Sequence, residues 1–445
     1  MTSMYETITN DLLSFIRRSP SCYHAVKNLA AELEQNGYCA LSEADAWNLS
    51  AGGKYYVCRN DSSLLSFRIP GEIRDASAVG FMITAAHSDS PTFKIKENAE
   101  LSADPRYVRL NTERYGGMLC STWLDRPLSV AGKVVLRDGD GIKTVLINID
   151  RDLLLIPNVA IHMNRSANEN ASYNAAVDMM PVFSDGTGKD QFRKLIASEI
   201  GADENDILGT DLFLYSRMPG SVWGLNGEFF SAPRLDDLQC AYAALRGFLG
   251  AAAGECIPVL AILDNEEVGS CTRQGADSTF LDDCLTRICD SLHISPAEKL
   301  RMLAKSFMVS ADNAHAVHPN HPEYADATHR PQLNGGIVIK FNAAQRYTTD
   351  AESCALFRKI CADAQVPVQY FTNRSDLAGG STLGNISNSH VSLRTVDIGL
   401  PQLAMHSSYE TAGTADTADM AKALRLFFSA SLHPGRDSLA IRYPS

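Results

Sequence analysis

The stretch AVGFMITAAHSD, residues 78–89, decides the fold of this chain of 445 residues. It is an almost uninterrupted apolar run, residues 78–86, that ends in the polar triplet His87-Ser88-Asp89. A run of this kind is typical of a strand in a sheet that is covered on both faces. Ligands bind beyond the carboxyl ends of the strands in open α/β sheets, so His87 stands where a binding site is expected.

Similar apolar runs that end in polar residues recur along the chain. They cover residues 257–263, 307–309, 336–341, 366–371 and 392–398. Stretches with helical periodicity lie between and around them, at residues 7–34, 237–250, 350–364 and 417–430. Strands that alternate with helices predict an α/β layer architecture.

Residues 93–231 have a different pattern. They contain charged, alternating strand-like pieces at 132–137 and 144–149, several Gly and Asp turns, and an Asn-rich stretch at 164–174. This pattern predicts an inserted, largely β second domain. The first domain is then discontinuous and consists of residues 1–92 and 232–445.

Composition excludes several classes of protein. The formal net charge of −12, from 40 Lys plus Arg and 52 Asp plus Glu, disfavours nucleic acid and anionic membranes as partners. No apolar run approaches the ~20 residues that span a bilayer. The 11 cysteines are scattered without a Cys-x-x-Cys pair, which argues against a redox motif or a zinc ribbon. Reduced thiols favour a cytoplasmic location.

Three polar clusters follow the apolar runs. The first contains His87 with Asp89, the second the adjacent carboxylates Glu266 and Glu267, and the third Asp312. Each has a plain alternative, such as a hydrogen-bonded structural histidine or a solvated acidic loop. Four more histidines crowd the third cluster, and for most of them a loop or substrate-side position is the better interpretation: His315, His318, His321 and His329.

Two further candidates are Asp236, at the start of a predicted helix, and His406. Alone, the first could be a helix cap and the second a packed histidine. Together with the three clusters they supply the mixed nitrogen and oxygen ligands that zinc accepts. A pair of metals needs a bridging carboxylate, terminal ligands and a free carboxylate for proton transfer. The sequence offers one residue for each of these roles: His87, Asp236, Glu266, Glu267, Asp312 and His406.

The sequence resembles the aspartyl aminopeptidase family of dinuclear zinc aminopeptidases, which also contains the yeast vacuolar leucine aminopeptidase. The resemblance covers nearly the whole chain. It is carried by AHSDS (86–90), WLDR (123–126), RLDDL (234–238), DNEEVGS (264–270), SADNAHAVHPN (310–320) and PQLAMHS (401–407). It implies a zinc exopeptidase fold, in which helices sandwich a mixed, mostly parallel sheet, with the β-rich insert as a dimerisation domain.

The resemblance also implies roles for individual residues. His87 and Asp312 would bind one metal, Glu267 and His406 the other, and Asp236 would bridge them. Glu266 would be the general base, and Asp89 would orient the ligands as a supporting carboxylate. The residue after the bridging Asp is commonly Asn in the family. Here it is Asp237, which adds a negative charge beside the metals.

Substrate and assembly follow from the same resemblance. Lys340 would select acidic N-terminal residues, and the other substrate-side positions would be His315, Gly380 and Ser381. The alternatives are a surface lysine and an ordinary glycine turn. The family forms a tetrahedral dodecamer, in which His162 would reach a neighbouring active site. The alternative for His162 is a structural role in the β domain.

The predicted function is therefore removal of N-terminal residues, preferably Asp or Glu, from peptides with a free N-terminus. The predicted cofactors are two divalent ions, zinc first, with cobalt or manganese as alternatives. A related dinuclear deacylase or carboxypeptidase and an aminopeptidase for neutral residues remain open. A catalytically silent assembly protein is disfavoured because every ligand position is occupied.

Overall fold

The structure is a computed structural model that describes residues 4–73, 79–101 and 104–444. Ala78, the first residue of the predicted run 78–86, lies outside the described residues. The α-helices are α1 (Met4–Arg18), α2 (Cys22–Gln35), α3 (Phe192–Ile200), α4 (Leu235–Gly250), α5 (Phe280–Ser291), α6 (Pro296–Ala304), α7 (Ala351–Asp363), α8 (Leu383–Ser387) and α9 (Asp416–Ser429).

The strands alternate with these helices along most of the chain. They are β1 (Cys39–Leu41), β2 (Lys54–Arg59), β3 (Ser63–Arg68), β4 (Phe81–His87), β5 (Thr92–Leu101), β6 (Tyr107–Tyr115), β7 (Leu128–Asp138), β8 (Gly141–Asn148), β9 (Val182–Asp185), β10 (Ile207–Ser216), β11 (Ser221–Trp223), β12 (Phe229–Ala232), β13 (Ile257–Leu263), β14 (Phe307–Ala311), β15 (Ala314–His315), β16 (Ile337–Lys340), β17 (Val368–Phe371), β18 (Arg394–Gly399), β19 (Pro401–Leu403), β20 (Glu410–Gly413), β21 (Ser431–Pro434) and β22 (Leu439–Arg442).

A nine-stranded sheet forms the centre of the molecule, in the order β1-β2-β3-β13-β4-β14-β18-β16-β17. Its three central strands, β13, β4 and β14, run parallel to one another. Antiparallel pairings occur between β2 and β3, β3 and β13, and β16 and β18. The prediction of a mixed, mostly parallel sheet is therefore confirmed.

Strand β4 shows why this sheet is buried on both faces. All seven of its residues are buried. Met82 packs into one hydrophobic core with residues of α1, α2, α4, α7 and α9, whereas Phe81 and Ile83 pack into a second core with residues of α5 and α6. Successive side chains of a strand point to opposite faces, so a continuous apolar run fits only between two layers of helices.

Close packing of α4 on α9 requires a glycine. A Cβ atom at Gly247 would lie 2.8 Å from the Cβ atom of Leu424 and 2.9 Å from the backbone nitrogen of Arg425. The two helices therefore approach more closely than any larger residue at position 247 would allow. This contact fixes α4, and with it Asp236 in its first turn, relative to the sheet.

Residues 7–34 depart from the sequence prediction. They form two helices, α1 and α2, separated by Ser19-Pro20-Ser21. Proline lacks the backbone N–H that a helix interior needs and clashes with the preceding turn, so the helical pattern is interrupted there. No described helix is long and apolar enough to cross a membrane.

A six-stranded sheet in the order β8-β7-β10-β5-β6-β9 occupies most of residues 92–216. It is antiparallel and has its own core, which includes Phe93, Trp123 and Leu212. Strand β12 extends across the predicted boundary, from Phe229 to Ala232, and it pairs with β20. The division of the chain at residues 93 and 231 stays a prediction.

Candidate metal centre

The predicted ligands meet at one edge of the central sheet. His87 is the last residue of β4, Asp312 follows β14, and a short 3-10 turn, Glu266–Val268, follows β13. Because these three strands are parallel neighbours, their carboxyl ends lie side by side. The first turn of α4 brings Asp236 to the same place, and the loop between β19 and β20 brings His406.

Asp236 lies between two histidines. Its Oδ1 atom is 3.3 Å from Nε2 of His87, and its Oδ2 atom is 3.5 Å from Nε2 of His406. Nε2 of His87 is also 3.7 Å from Oδ1 of Asp312, and Nε2 of His406 is 3.4 Å from Oε2 of Glu267. Two groups of possible metal ligands therefore share one carboxylate.

The donor atoms fit divalent cations. Oδ1 of Asp236 and Oε1 of Glu267 are buried and have no hydrogen-bond partner among the described residues. Buried carboxylate oxygens without partners are costly unless a cation compensates them. Imidazole nitrogens and carboxylate oxygens are the ligands that zinc accepts in such sites. The residues present could therefore hold two ions, one on each side of Asp236.

Asp89 fixes the orientation of His87. Nδ1 of His87 is 3.1 Å from the main-chain oxygen of Asp89, which leaves Nε2 facing the acidic cluster. The Asp89 carboxylate accepts the backbone N–H groups of Glu266 and Glu267, each at 3.2 Å, and the hydroxyl of Tyr115 at 2.7 Å. Supporting contacts of this kind hold ligands in place at metal sites.

Burial and neighbouring charges shift the titration of Glu266. Burial raises the pKa of this carboxyl group to about 8, the carboxylates of Asp312 and Asp89 act in the same direction, and His87 opposes them. A carboxyl group whose pKa lies near neutrality can both accept and return a proton. Glu266 also lines the cavity beside the ligands.

Asp236 and Asp237 are buried neighbours with opposite shifts. Burial alone would raise the pKa of Asp236, but His406 and His87 together hold it below its usual value. Burial raises the pKa of Asp237, with a further increase from Asp312. Burial therefore opposes the charged form at position 237, and the additional negative charge that the sequence suggested there stays a prediction. One carboxyl oxygen of Asp237 accepts the backbone N–H of His87 at 3.1 Å.

Comparison with known proteins identifies the family. The family model described as Aminopeptidase I zinc metalloprotease (M18) matches residues 15–428. The probable M18 family aminopeptidase 2 of Clostridium novyi (strain NT) is 45% identical over 430 residues, which cover 94% of this chain and 98% of the relative. The chain belongs to the M18 family. It is a zinc-dependent aminopeptidase, as the sequence predicted.

Two solved structures have the same fold as this M18 chain. A chain of the "Cryo-EM structure of the Ape4 and Nbr1 complex" is 35% identical, with a TM-score of 0.92 over 96% of this chain and 87% of that chain. The "Structure of S. cerevesiae mApe1 dodecamer" is 27% identical, with a TM-score of 0.82 over 96% and 97% of the two chains. Membership of the M18 family favours the aminopeptidase over the deacylase and carboxypeptidase alternatives.

A cavity of about 190 Å³ adjoins the candidate ligands of the M18 chain. It brings together most of the residues that the sequence singled out. Its lining includes Asp236, Glu266, Asp312, His315, Lys340, Gly380, Ser381 and His406. His87, Asp89 and Glu267 contact this group from the sheet side, through the distances given above.

Lys340, the last residue of β16, is not the surface lysine of the alternative interpretation. It is only 2% exposed, and its Nζ atom lies 3.2 Å from Oδ2 of Asp312. Its charge also faces the ring of Tyr347, with the centroid 5.4 Å away. Burial is the largest influence and opposes the charged form, but Asp312, Tyr347 and Asp397 together outweigh it, so the pKa of Lys340 is raised. A buried ammonium group therefore stands at the end of the cavity.

Among the predicted site residues, His162 lies outside the group that surrounds the cavity. It is exposed in a turn between β8 and β9 and is not among the residues that line the cavity. Val159, Ile161 and Met163, beside it in the chain, are also exposed. Its predicted role across a subunit interface stays a prediction.

Sequence reasoning missed two buried carboxylates that support the site. Glu410 accepts the backbone N–H of His406 at 2.7 Å and that of Asp236 at 3.0 Å, so it ties a ligand loop to α4. Asp397 accepts hydrogen bonds from Thr348 and Thr382. Glu410 begins a strand, and Asp397 lies inside one, so neither showed the signal of a polar residue after an apolar run.

Proposed function

We propose that this aminopeptidase removes N-terminal residues, preferably Asp or Glu, from peptides by using two divalent ions and Glu266 as the general base. The observation that carries the proposal is the position of Asp236, which offers one oxygen to each of two histidines. Zinc is the first choice of metal because of the family, and the nitrogen and oxygen donors also accept cobalt or manganese.

His87 and Asp312 would hold one ion, Glu267 and His406 the other, and Asp236 both. When bound, such ions polarise the peptide carbonyl group and lower the pKa of water towards neutrality. The protein supplies the remaining functions. Glu266 accepts a proton from water and returns it to the leaving amine, which is the two-way role of a general acid/base.

Asp89 would hold Glu266 and Glu267 close to His87, because its carboxylate accepts the backbone N–H groups of both glutamates. Lys340 supports the acidic preference. Its ammonium group is buried at the cavity, together with His315, Gly380 and Ser381. A carboxylate of the substrate side chain would meet a charge that is only partly compensated by Asp312.

We also propose that the chain assembles as a tetrahedral dodecamer in the cytoplasm. The structural neighbour named mApe1 is a dodecamer. Exposed apolar residues beside His162 offer a surface that a second copy could cover. In that assembly His162 would stabilise the developing oxyanion in a neighbouring site, and a fully active monomer in sedimentation would contradict this role.

A hydrolysis panel tests the proposal. Purified protein is stripped of metal and reloaded with zinc, cobalt or manganese, and then given dipeptides that begin with Asp, Glu, Ala or Leu. Each dipeptide is also supplied with an acetylated N-terminus. We expect metal-dependent hydrolysis of the free dipeptides, fastest for Asp or Glu. Equal hydrolysis of the acetylated forms would contradict the proposal.

A further inference from the structure

A second cavity adjoins the one that holds the candidate ligands. It has a volume of about 390 Å³, twice that of the first, and the two share His315 and Phe371 in their linings. We call it the histidine cavity, after His315, His318, His321 and His329, which line it. The proposed function gives no specific role to the last three.

The histidine cavity contains hydrogen-bonding groups without partners. Gln402, in β19, is 1% exposed, and neither its amide nitrogen nor its amide oxygen has a hydrogen-bond partner among the described residues. The same is true of Oδ1 of Asn373. Both residues line the cavity. Buried polar atoms are nearly always paired, so an unpaired donor beside an unpaired acceptor indicates a ligand that offers the complementary pair.

Three basic side chains at the histidine cavity each have an acidic partner. Nδ1 of His321 lies 3.0 Å from Glu323, and Nδ1 of His329 lies 2.9 Å from Asp326. The guanidinium group of Arg374 pairs with Asp376 at 2.6 Å. Because each of these three groups has an acidic partner, none of them offers an unopposed positive charge to a carboxylate or a phosphate. The unpaired amide of Gln402 instead matches the C=O and N–H of a peptide main chain.

One wall of the cavity is a stack of flat rings. The centroids of His318 and His321 are 5.2 Å apart, and those of His321 and Tyr324 are 5.4 Å apart, with the latter rings stacked. Tyr324 is 63% exposed, so this end is open to solvent. The wall is held in place, because Arg374 donates to the main-chain oxygen of Glu323 and Arg330 donates to that of Pro322. An aromatic or apolar side chain suits such a surface.

We infer that the histidine cavity binds the residues that follow the scissile bond, as an uncharged main chain with an aromatic or apolar second residue. This inference rests on the proposed function. An aminopeptidase holds one residue on the amino side of the scissile bond, and we assign that residue to the smaller cavity, which Lys340 lines. The remainder of a peptide needs a larger, open cavity on the other side.

The test compares substrates with and without residues beyond the scissile bond. For the N-terminal residue that is hydrolysed best, the substrates are the amino acid amide and two tripeptide amides with Phe or Ala second. Gln402→Met removes both unpaired atoms at similar volume. We expect it to lower kcat/KM about fivefold for both tripeptide amides, roughly the effect of one net hydrogen bond, and to leave the amino acid amide unchanged.

Tyr324→Ala is the second variant, because an exposed residue is safe to truncate. It is expected to lower kcat/KM for the tripeptide with Phe second about fivefold, with little effect on the one with Ala second. Tyr5→Ala, at another exposed tyrosine, is the matched control. An unchanged ratio of tripeptide to amide in both variants would overturn the inference. The same two tripeptides with a free carboxylate are assayed in parallel, and a loss confined to them would also overturn the inference, in favour of a charged ligand.

A binding measurement separates this inference from the proposed function. Isothermal calorimetry with the zinc-loaded Glu266→Gln protein gives the affinity for the tripeptide amide with Phe second. Adding Gln402→Met should weaken that affinity about fivefold even if the proposed hydrolysis is absent. The same affinity in both proteins would overturn the inference whatever the turnover.

Discussion

Glu266 and Glu267 are adjacent carboxylates with different surroundings. Oε2 of Glu267 lies 3.4 Å from His406, as a ligand would, whereas Glu266 lines the cavity where a substrate would lie. Asp89 fixes both through their backbone N–H groups. Two neighbouring residues of one type can therefore take different roles, because only Glu266 lines the cavity and only Glu267 lies beside His406.

Glu266→Gln tests the proposed base. Glutamine keeps the size of the side chain but cannot accept a proton, so kcat should fall about 10²- to 10⁴-fold. Metal content, measured by elemental analysis, should stay the same because Glu266 is not one of the proposed ligands. Near-normal turnover by a fully metal-loaded variant would refute the assignment.

Lys340→Met tests the proposed acidic preference. Methionine retains an apolar chain of similar length but removes the charge, so the ratio of kcat/KM for Asp over Ala at the substrate N-terminus should fall about 10- to 100-fold. Because Lys340 contacts Asp312, metal content is measured in parallel. The control is Lys359→Met, at an exposed lysine paired with Asp363. An unaltered ratio in a metal-loaded variant would reject the role.

The site residues at strand ends could be predicted, because each apolar run in the sequence shows where a strand ends. His87, Glu266, Glu267 and Asp312 each come just after an apolar run, and the structure brings all four together. Glu410 could not be predicted in this way, because its importance depends on two backbone N–H groups from distant parts of the chain. Contacts of that kind appear only when the fold is known.

At the scale of elements, Asp397 in β18 forms hydrogen bonds to two loops that line the cavity beside the candidate ligands. One loop joins β16 to α7 and contains Tyr347, and the other joins β17 to α8 and contains Gly380. Asp397 is fully buried and accepts the backbone N–H and hydroxyl of Thr348, both at 2.6 Å, as well as the hydroxyl of Thr382. It is therefore a positioning residue.

Asp397→Asn should loosen one of these loops, because an amide has one acceptor oxygen where the carboxylate has two. We expect KM to rise about fivefold with a smaller change in kcat, since the loops line the substrate cavity but hold neither Glu266 nor the proposed ligands. Steady-state kinetics measures both constants, and Asp363→Asn, on an exposed part of α7, serves as the control. A fall in kcat with unchanged KM would contradict this role.

The elements themselves could be predicted to different extents. Strand β13 has the bounds of the predicted run, because it is apolar throughout and buried on both faces. The hairpin of β2 and β3 was missed, since its strands mix charged and apolar residues at the side of the sheet. The break between α1 and α2 was signalled by Pro20 alone, and a single residue is easily outweighed by the periodicity around it.

At the scale of the whole molecule, the α/β architecture followed from the apolar runs, because long buried strands need a layer of helices on each face. The pairing of β12 with β20 could not be predicted. These strands are separated by about two fifths of the chain, and nothing local in either one specifies its partner.

Removal of metal should destabilise the whole protein. The candidate centre joins the central sheet to α4 and to the loop before β20, and it contains buried carboxylate oxygens without partners in the described structure. Each ion that binds only the folded state at about 100 times Kd adds about 2.7 kcal/mol, which for a chain of 445 residues corresponds to a Tm shift of about 3 °C per ion. Scanning calorimetry before and after EDTA should show that fall, and zinc should reverse it. EDTA already saturated with zinc is the control, and an unchanged Tm in the metal-free protein would contradict a structural contribution of the ions.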